Sequence, residues 1–135
     1  GKVILILHFP AEYEEALKRA REDGIPLHEA EKLFFDATHA DVGSWLAIKW
    51  RFPVNLVEAI EHHHRPHLSK LSSLETAIVH VSDALVRAKG VGIDRDACVP
   101  DINPGAWDML QLGDDDVRAI LVELEEAASS EMEVI

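Results

Sequence analysis

An all-α fold of six to eight helices, in one domain spanning residues 1–135, is the architecture the sequence predicts. Three observations point to it. Apolar residues recur at three- and four-residue spacing through most of the chain, the period of a half-buried helix. Proline, glycine and capping residues fall where such segments should start and stop. With 47% hydrophobic residues, a chain of 135 residues can bury a real core.

The elements follow in order. Val3-Ile4-Leu5-Ile6-Leu7 fits either a buried strand or a short buried helix. Pro10 starts a clearer helix with Tyr13, Ala16, Leu17 and Ala20 on one face, ended by Asp23-Gly24 and Pro26. A short helix around Leu27 to Phe34 turns Leu27, Ala30 and Phe34 inward. Thr38 caps the next helix, which runs to about Arg51 with Val42, Leu46 and Trp50 on its apolar face. His39 begins that same face.

Pro53 suits the first turn of a helix whose stripe is Leu56, Val57 and Ile60. His63 and His64 lie three and four residues past Ile60 and continue the stripe, whereas His62 aligns with Asn55 and Glu58 on the polar side. Arg65-Pro66 closes this helix. Ser72 or Ser73 caps a helix from Leu74 to Ala88 that is apolar nearly all round, the pattern of a central helix. Asp83 sits within it, between Val79 and Val86 on one face, and Gly90 and Gly92 end it. A loop covers Ile93 to Ile102. Asn103-Pro104 caps a short helix through Leu110. Asp114, Asp115 and Asp116 open the last helix, where acids favour the positive dipole end. Its stripe is Val117, Ile120, Leu121 and Leu124, and the tail after Ala128 is expected to fray.

Composition narrows the function. Thirteen basic residues face 25 acidic ones, a formal net charge of -12 that disfavours nucleic acid and anionic membrane as partners. No apolar run approaches membrane-spanning length, and no signal-peptide pattern opens the chain. The lone Cys98 forms no internal disulfide, which agrees with a reducing, cytoplasmic setting. It has no adjacent base to activate it as a nucleophile. Asp94-Arg95-Asp96 falls short of a calcium loop, and Gly90-Val91-Gly92 lacks the context of a phosphate loop. Trp45, Trp50 and Phe52 read as core.

Buried imidazole needs a partner for each ring nitrogen. His39, His63, His64 and Asp83 are the inward polar groups of this chain, and they come from three segments. Neutral imidazole with carboxylate is the usual ligand set for zinc, iron or manganese. Gly43, one turn after His39, would let a neighbouring helix approach closely. The same residues would equally make a metal-free hydrogen-bond network that holds helices in register. Neighbouring helical residues also point about 100° apart, so one histidine of the pair could miss the site. His80 is expected to bond to Asp83, His62 and His67 to be solvated, and His8 and His28 to be ordinary helix-end or surface residues.

Several segments carry a resemblance. Thr38-His39-Ala40-Asp41-Val42-Gly43 precedes Trp50-Arg51-Phe52-Pro53, and Ala59-Ile60-Glu61-His62-His63-His64-Arg65-Pro66 and Ile78-Val79-His80-Val81-Ser82-Asp83-Ala84-Leu85 follow. With Asn103-Pro104-Gly105-Ala106-Trp107 through Leu112-Gly113-Asp114, they resemble the HD-related output domain, HDOD, of the HD superfamily across nearly the whole chain. The resemblance implies an α-helical regulatory output module of bacterial signalling. In the catalytic relatives, phosphohydrolases and HD-GYP phosphodiesterases, the positions of His39, His63, His64 and Asp83 bind metal. By the same resemblance Lys2 would contact a phosphate.

Two departures count against catalysis. The His-Asp dyad that names the superfamily is absent, and Gly1-Lys2 resembles the pair that commonly follows it. An N-terminal portion is therefore expected to be missing. Arg65-Pro66-His67-Leu68 also replaces the acidic, Gly-rich and Tyr-Pro motif of the cyclic-dinucleotide enzymes. The sequence thus leads to a signalling module that contacts a partner protein or adjoining domain, with a degenerate pocket for at most one divalent ion. The alternative is a metal-dependent phosphohydrolase acting on a nucleotide or cyclic dinucleotide, and ligand sensing without turnover is a third reading. If an N-terminal portion is missing, Val3 to Leu7 should lack packing partners and the chain should self-associate.

Overall fold

Helix boundaries in this chain follow the chemistry of the residues at their ends. The structure, a computed structural model, describes residues 1–90 and 98–132. Those residues form α1 (Lys2–His8), α2 (Pro10–Asp23), α3 (Leu27–Glu31), α4 (His39–Lys49), α5 (Val54–His62), a 3-10 turn (Pro66–Leu68), α6 (Ser73–Ala88), α7 (Pro104–Leu110) and α8 (Asp114–Met132). The fold is all-α, with no strand among the described residues.

Local signals set most of these ends. Pro10 occupies the first turn of α2, and Gly24 closes it at φ 63°, a left-handed conformation that costs glycine little. Thr38 makes a full capping box with Asp41: each side chain accepts the other residue's backbone N–H. The Asn103 side chain accepts from the Ala106 N–H at the start of α7. At α6, Ser72 is the cap residue but its side chain makes no capping bond. The Glu58 carboxylate instead accepts from the Leu71 and Ser72 N–H groups and the Ser69 hydroxyl.

The principal core gathers Leu5, Tyr13, Ala16, Ala20, Leu27 and Ala30 from α1–α3, with Leu17, Ile25, Phe35 and Val42 packed against it. Val3–Leu7 is helical, and only Leu5 of that segment is buried. Val3, Ile6 and Leu7 stay exposed, Leu7 at 69%. A second set of buried small residues, Ala40, Ser44, Ala47, Ala59, Ala77 and Ala84, lines the α4, α5 and α6 surfaces. Small side chains let helix axes approach at the short end of the 8–10 Å range.

That choice of small residues corrects several expectations. Trp45 and Trp50 are 59% and 61% exposed, and Phe52 is exposed too, so none of the three is core. Helix α4 is apolar on several sides, and its Ala40-Ser44-Ala47 line makes the contact that Trp50 was expected to make. The helix also stops at Lys49, because Arg51 adopts φ 58° and turns the chain towards Pro53. Phe34 is exposed, since α3 ends at Glu31 and Phe35 faces the core instead. Leu56 is exposed while Ala59 is buried. Helix α6 is not covered all round: Leu74, Ile78 and Val79 are exposed. Helix α8 continues past Ala128 to Met132, and residues 133–135 of the tail expected to fray lie outside the described residues. Gly92, Asp94-Arg95-Asp96 and the first part of the expected loop lie outside the described residues.

Candidate metal centre

The site forms where α4 begins and α5 ends. His39 is the first residue of α4, placed by the Thr38 cap. His63 follows the last residue of α5, with near-helical φ -61° and ψ -22°, and His64 lies in the next turn. Leaving the helix here removes the divergence expected of adjacent helical residues. The two rings sit 3.9 Å apart, and both face His39, at centroid distances of 5.7 Å for His63 and 4.9 Å for His64.

Close backbone approach makes this possible. A side-chain carbon on Gly43 would lie 3.0 Å from the Ile60 Cγ2 atom, so glycine lets α5 press against α4, as its position one turn after His39 predicts. Gly1 is tighter still: a Cβ there would fall 1.7 Å from the His39 carbonyl oxygen.

His39 and His63 are each oriented by a bond at Nδ1. His39 Nδ1 lies 2.8 Å from both carboxylate oxygens of Glu31, and the His39 backbone N–H donates to the same carboxylate at 2.8 Å. Glu31 is fully buried. With Nδ1 donating, His39 presents Nε2 to the site. His63 Nδ1 donates to the Ile60 carbonyl oxygen at 2.7 Å, which likewise leaves its Nε2 available. His64 Nε2 lies 2.9 Å from His39 Nε2, where one ring must donate and the other accept.

Ligand atoms of His39, His63 and His64 lie within 4.8 Å of one another, and the three residues could hold a metal ion. Two nitrogens each about 2.05 Å from a tetrahedral ion sit roughly 3.3 Å apart. The His39–His64 pair would therefore open by a few tenths of an ångström. A carboxylate behind a ligating histidine, as Glu31 stands behind His39, is the usual support for such a ligand. The donor set fits zinc, iron or manganese.

Electrostatics favours the neutral form of His63 and His64. Burial pushes the His63 imidazolium down, with the His39 charge adding to it, and the Ile60 bond and Asp83 opposing. His64 is depressed far more, first by burial and then by His63, His28 and His39. Neutral imidazole is the form that binds metal.

Asp83 is not among the residues brought together. Its carboxylate accepts from Arg87 Nε at 3.1 Å through both oxygens, one turn along α6. Nor does His80 bond to Asp83. The buried His80 donates from Nδ1 to the His63 carbonyl oxygen at 2.7 Å, and its Nε2 accepts the Asn103 N–H at 2.9 Å. His62 is only partly exposed, and its Nδ1 is buried without a hydrogen-bond partner.

Two contributors were missed in the sequence. Glu31 carries no motif, and only its eight-residue distance from His39 hints at a role. His28 is no ordinary surface residue: it stacks on His64 at 4.1 Å with the planes 10° apart. Burial first, and then the charge of His39, lowers His28 to about 4. His28 therefore binds its proton more readily in the unfolded chain than in the folded one. Its neutral-form stability is complete above the ordinary histidine value of 6.5, erodes as the pH falls below it, and is gone once the pH passes about 4. Metal-free protein should lose urea resistance over that window, and His28→Phe, which keeps a ring on His64, should lose less. An identical decline in the variant would refute this assignment.

Comparison with known proteins agrees with part of this picture. The HDOD domain model matches residues 1–66, a span that includes all three histidines of the centre and stops before Asp83. The resemblance seen in Ile78–Leu85 and Asn103–Asp114 thus lies beyond the matched span. An uncharacterized protein of Treponema pallidum (strain Nichols) is 29% identical over 68 residues, which is half of this chain and 13% of that protein. No solved structure matches the chain significantly. Residues 1–66, just under half of the chain, thus match the HDOD domain family.

Proposed function

We propose that this chain is a regulatory output module of HDOD type, in the cytoplasm, which works by contact with a signalling protein or an adjoining domain rather than by hydrolysis. On this reading His39, His63 and His64 hold one divalent ion, zinc, iron or manganese, in a role that steadies the junction of α4 and α5. The observation that carries it is the ligand set. Three imidazoles converge, while the one carboxylate expected to join them is held by Arg87. Two-metal hydrolysis uses shared ligands to clamp both ions and position water. Asp83, the carboxylate nearest in role, is engaged with Arg87 instead. Exposed Trp45, Trp50 and Phe52, the last two with rings 6.1 Å apart, suit a contact surface. The acidic balance argues against nucleic acid as the partner. Among the described residues, no helix is long and apolar enough to cross a membrane.

The alternative is a metal-dependent phosphohydrolase acting on a nucleotide or cyclic dinucleotide. It draws on the same centre, with Asp83 as a fourth ligand. Three protein ligands are fewer than a closed structural zinc site uses, and an ion held so would supply Lewis acidity. One experiment separates the two. Protein loaded in turn with zinc, iron and manganese is assayed on bis(p-nitrophenyl) phosphate beside His39→Ala. The output reading expects one ion per chain and no turnover above the variant. Turnover well above the variant would establish the hydrolase instead.

A further inference from the structure

A groove of about 270 Å³ lies between α6 and α8, beyond the span that the HDOD model matches. Ile78, Leu85 and Val86 of α6 line it together with Ile120 and Leu124 of α8. We infer that it docks a basic amphipathic helix of a partner protein, with the apolar face of that helix in the groove and its cations against the acidic residues of α7 and α8.

The fold leaves this seam open. Helix α6 packs closely on α5 and α7, while the backbone of α8 stands further off. Lys89 Nζ donates to Glu125 Oε2 at 2.9 Å and ties α8 to the end of α6. Among the described residues, Ser82 is the only polar one in the lining. A small polar ligand would give up its water partners there and find few replacements. The lining also lacks the aromatic rings on which a polyproline segment docks, and the described residues offer no strand edge to extend. A row of aliphatic side chains from a third helix fits between the two.

Charge names the partner. Residues 101–135 hold ten acids and one base, whereas residues 1–100 hold 15 acids and 12 bases. Exposed Asp116 and Glu123 stand about one turn before and after Ile120, on one edge of its face of α8. The single base, Arg118, is two residues from Ile120 and points to the far side of the helix. The two bases at the end of α6 face acids already, Arg87 on Asp83 and Lys89 on Glu125. A basic helix therefore meets carboxylates along this edge, which steers it in and fixes its register. A second copy fits less well. Its α8 would bring like charge, and its basic α2, with Lys18, Arg19 and Arg21, already has its apolar face in the core.

The inference rests on the reading of the chain as a contact module, and adds where the partner docks and what charge it carries. Fluorescence anisotropy tests it with a labelled peptide of about fourteen residues, leucine on one helical face and lysine elsewhere. One control replaces the lysines by glutamate, and the other scrambles the order to break the leucine spacing. The lysine peptide is expected to bind at least about tenfold tighter than either control. Asp116→Asn with Glu123→Gln, both at exposed positions, should weaken it severalfold and flatten its salt dependence. Ile120→Asn should weaken it by about tenfold, and Trp45→Ala should leave it unchanged. A scramble or glutamate peptide that binds equally well overturns the inference. So does binding lost in Trp45→Ala but kept in Ile120→Asn. Protein that self-associates through Ile120 and ignores the peptide assigns the groove to a second copy, which also overturns it. Failure of the peptide without turnover on bis(p-nitrophenyl) phosphate removes this inference alone. Turnover well above His39→Ala, with peptide binding intact, removes the contact reading alone.

Discussion

Replacing Glu31 by alanine should destabilise the fold by about 3–5 kcal/mol and weaken metal binding by roughly 10–100-fold. Glu31 is wholly buried, and its carboxylate accepts both the backbone N–H and the Nδ1–H of His39. Truncation strands both donors and leaves a cavity between α3 and α4. It also removes a negative charge from the first N–H of α4, where the helix dipole favours one. The metal effect has a separate cause. Without the carboxylate, His39 can rotate or change tautomer, and its Nε2 no longer points at His64. Glu31→Gln divides the two effects. The amide fills the same space and can accept one of the bonds, so most of the packing survives. Its NH2 faces the other donor, so the ring loses its fixed tautomer. Glu31→Gln should therefore recover most of the urea resistance and much less of the zinc affinity, read by competition with a chelating dye. If Glu31→Gln matches the native protein in both measurements, the carboxylate does not orient His39.

How much of this was legible in the chain divides along the range of the interaction. Thr38, Asn103, Pro10 and Gly24 act within one helical turn, and the elements they delimit follow from their side chains. The pairing of His39 with His63 and His64 was legible too, because each stood at the end of an apolar stripe, where only a polar pocket could receive it. The interior of the stripes was not. Helices α4 and α6 carry apolar residues on several sides, so periodicity could not say which face would be covered. The small residues took the contact and left Trp45, Trp50 and Ile78 outside. Glu31 and His28 depend on α3 lying across the start of α4 and the turn after α5. No local pattern records such a crossing. Asp83 looked inward from its neighbours along α6, yet Arg87 lies one turn further along the same helix and claims its carboxylate.

The same separation of local from distant causes makes His80 the other site of large expected effect. It donates to the carbonyl of His63 and accepts from Asn103, the cap of α7, and so ties the histidine turn to the segment beyond α6. Its tautomer is dictated by those partners, with the proton on Nδ1. Replacement by phenylalanine keeps the volume and removes both bonds. Each buried group left unpaired costs about 1–3 kcal/mol, so His80→Phe should cost about 2–6 kcal/mol in urea denaturation. Two smaller changes apportion the loss. Asparagine places an N–H near the Nδ1 position and can still hold the His63 carbonyl, whereas glutamine places an oxygen near the Nε2 position and can still receive the Asn103 N–H. Each variant should recover about half of the stability. They should differ elsewhere. Hydrogen exchange at the Asn103 amide should stay slow in His80→Gln and become fast in His80→Asn. Zinc affinity should hold in His80→Asn and fall in His80→Gln, because only the His63 carbonyl bond bears on the centre. Equal behaviour of the two variants in both measurements would mean that His80 fills space between α6 and α7 without tying the histidine turn to either.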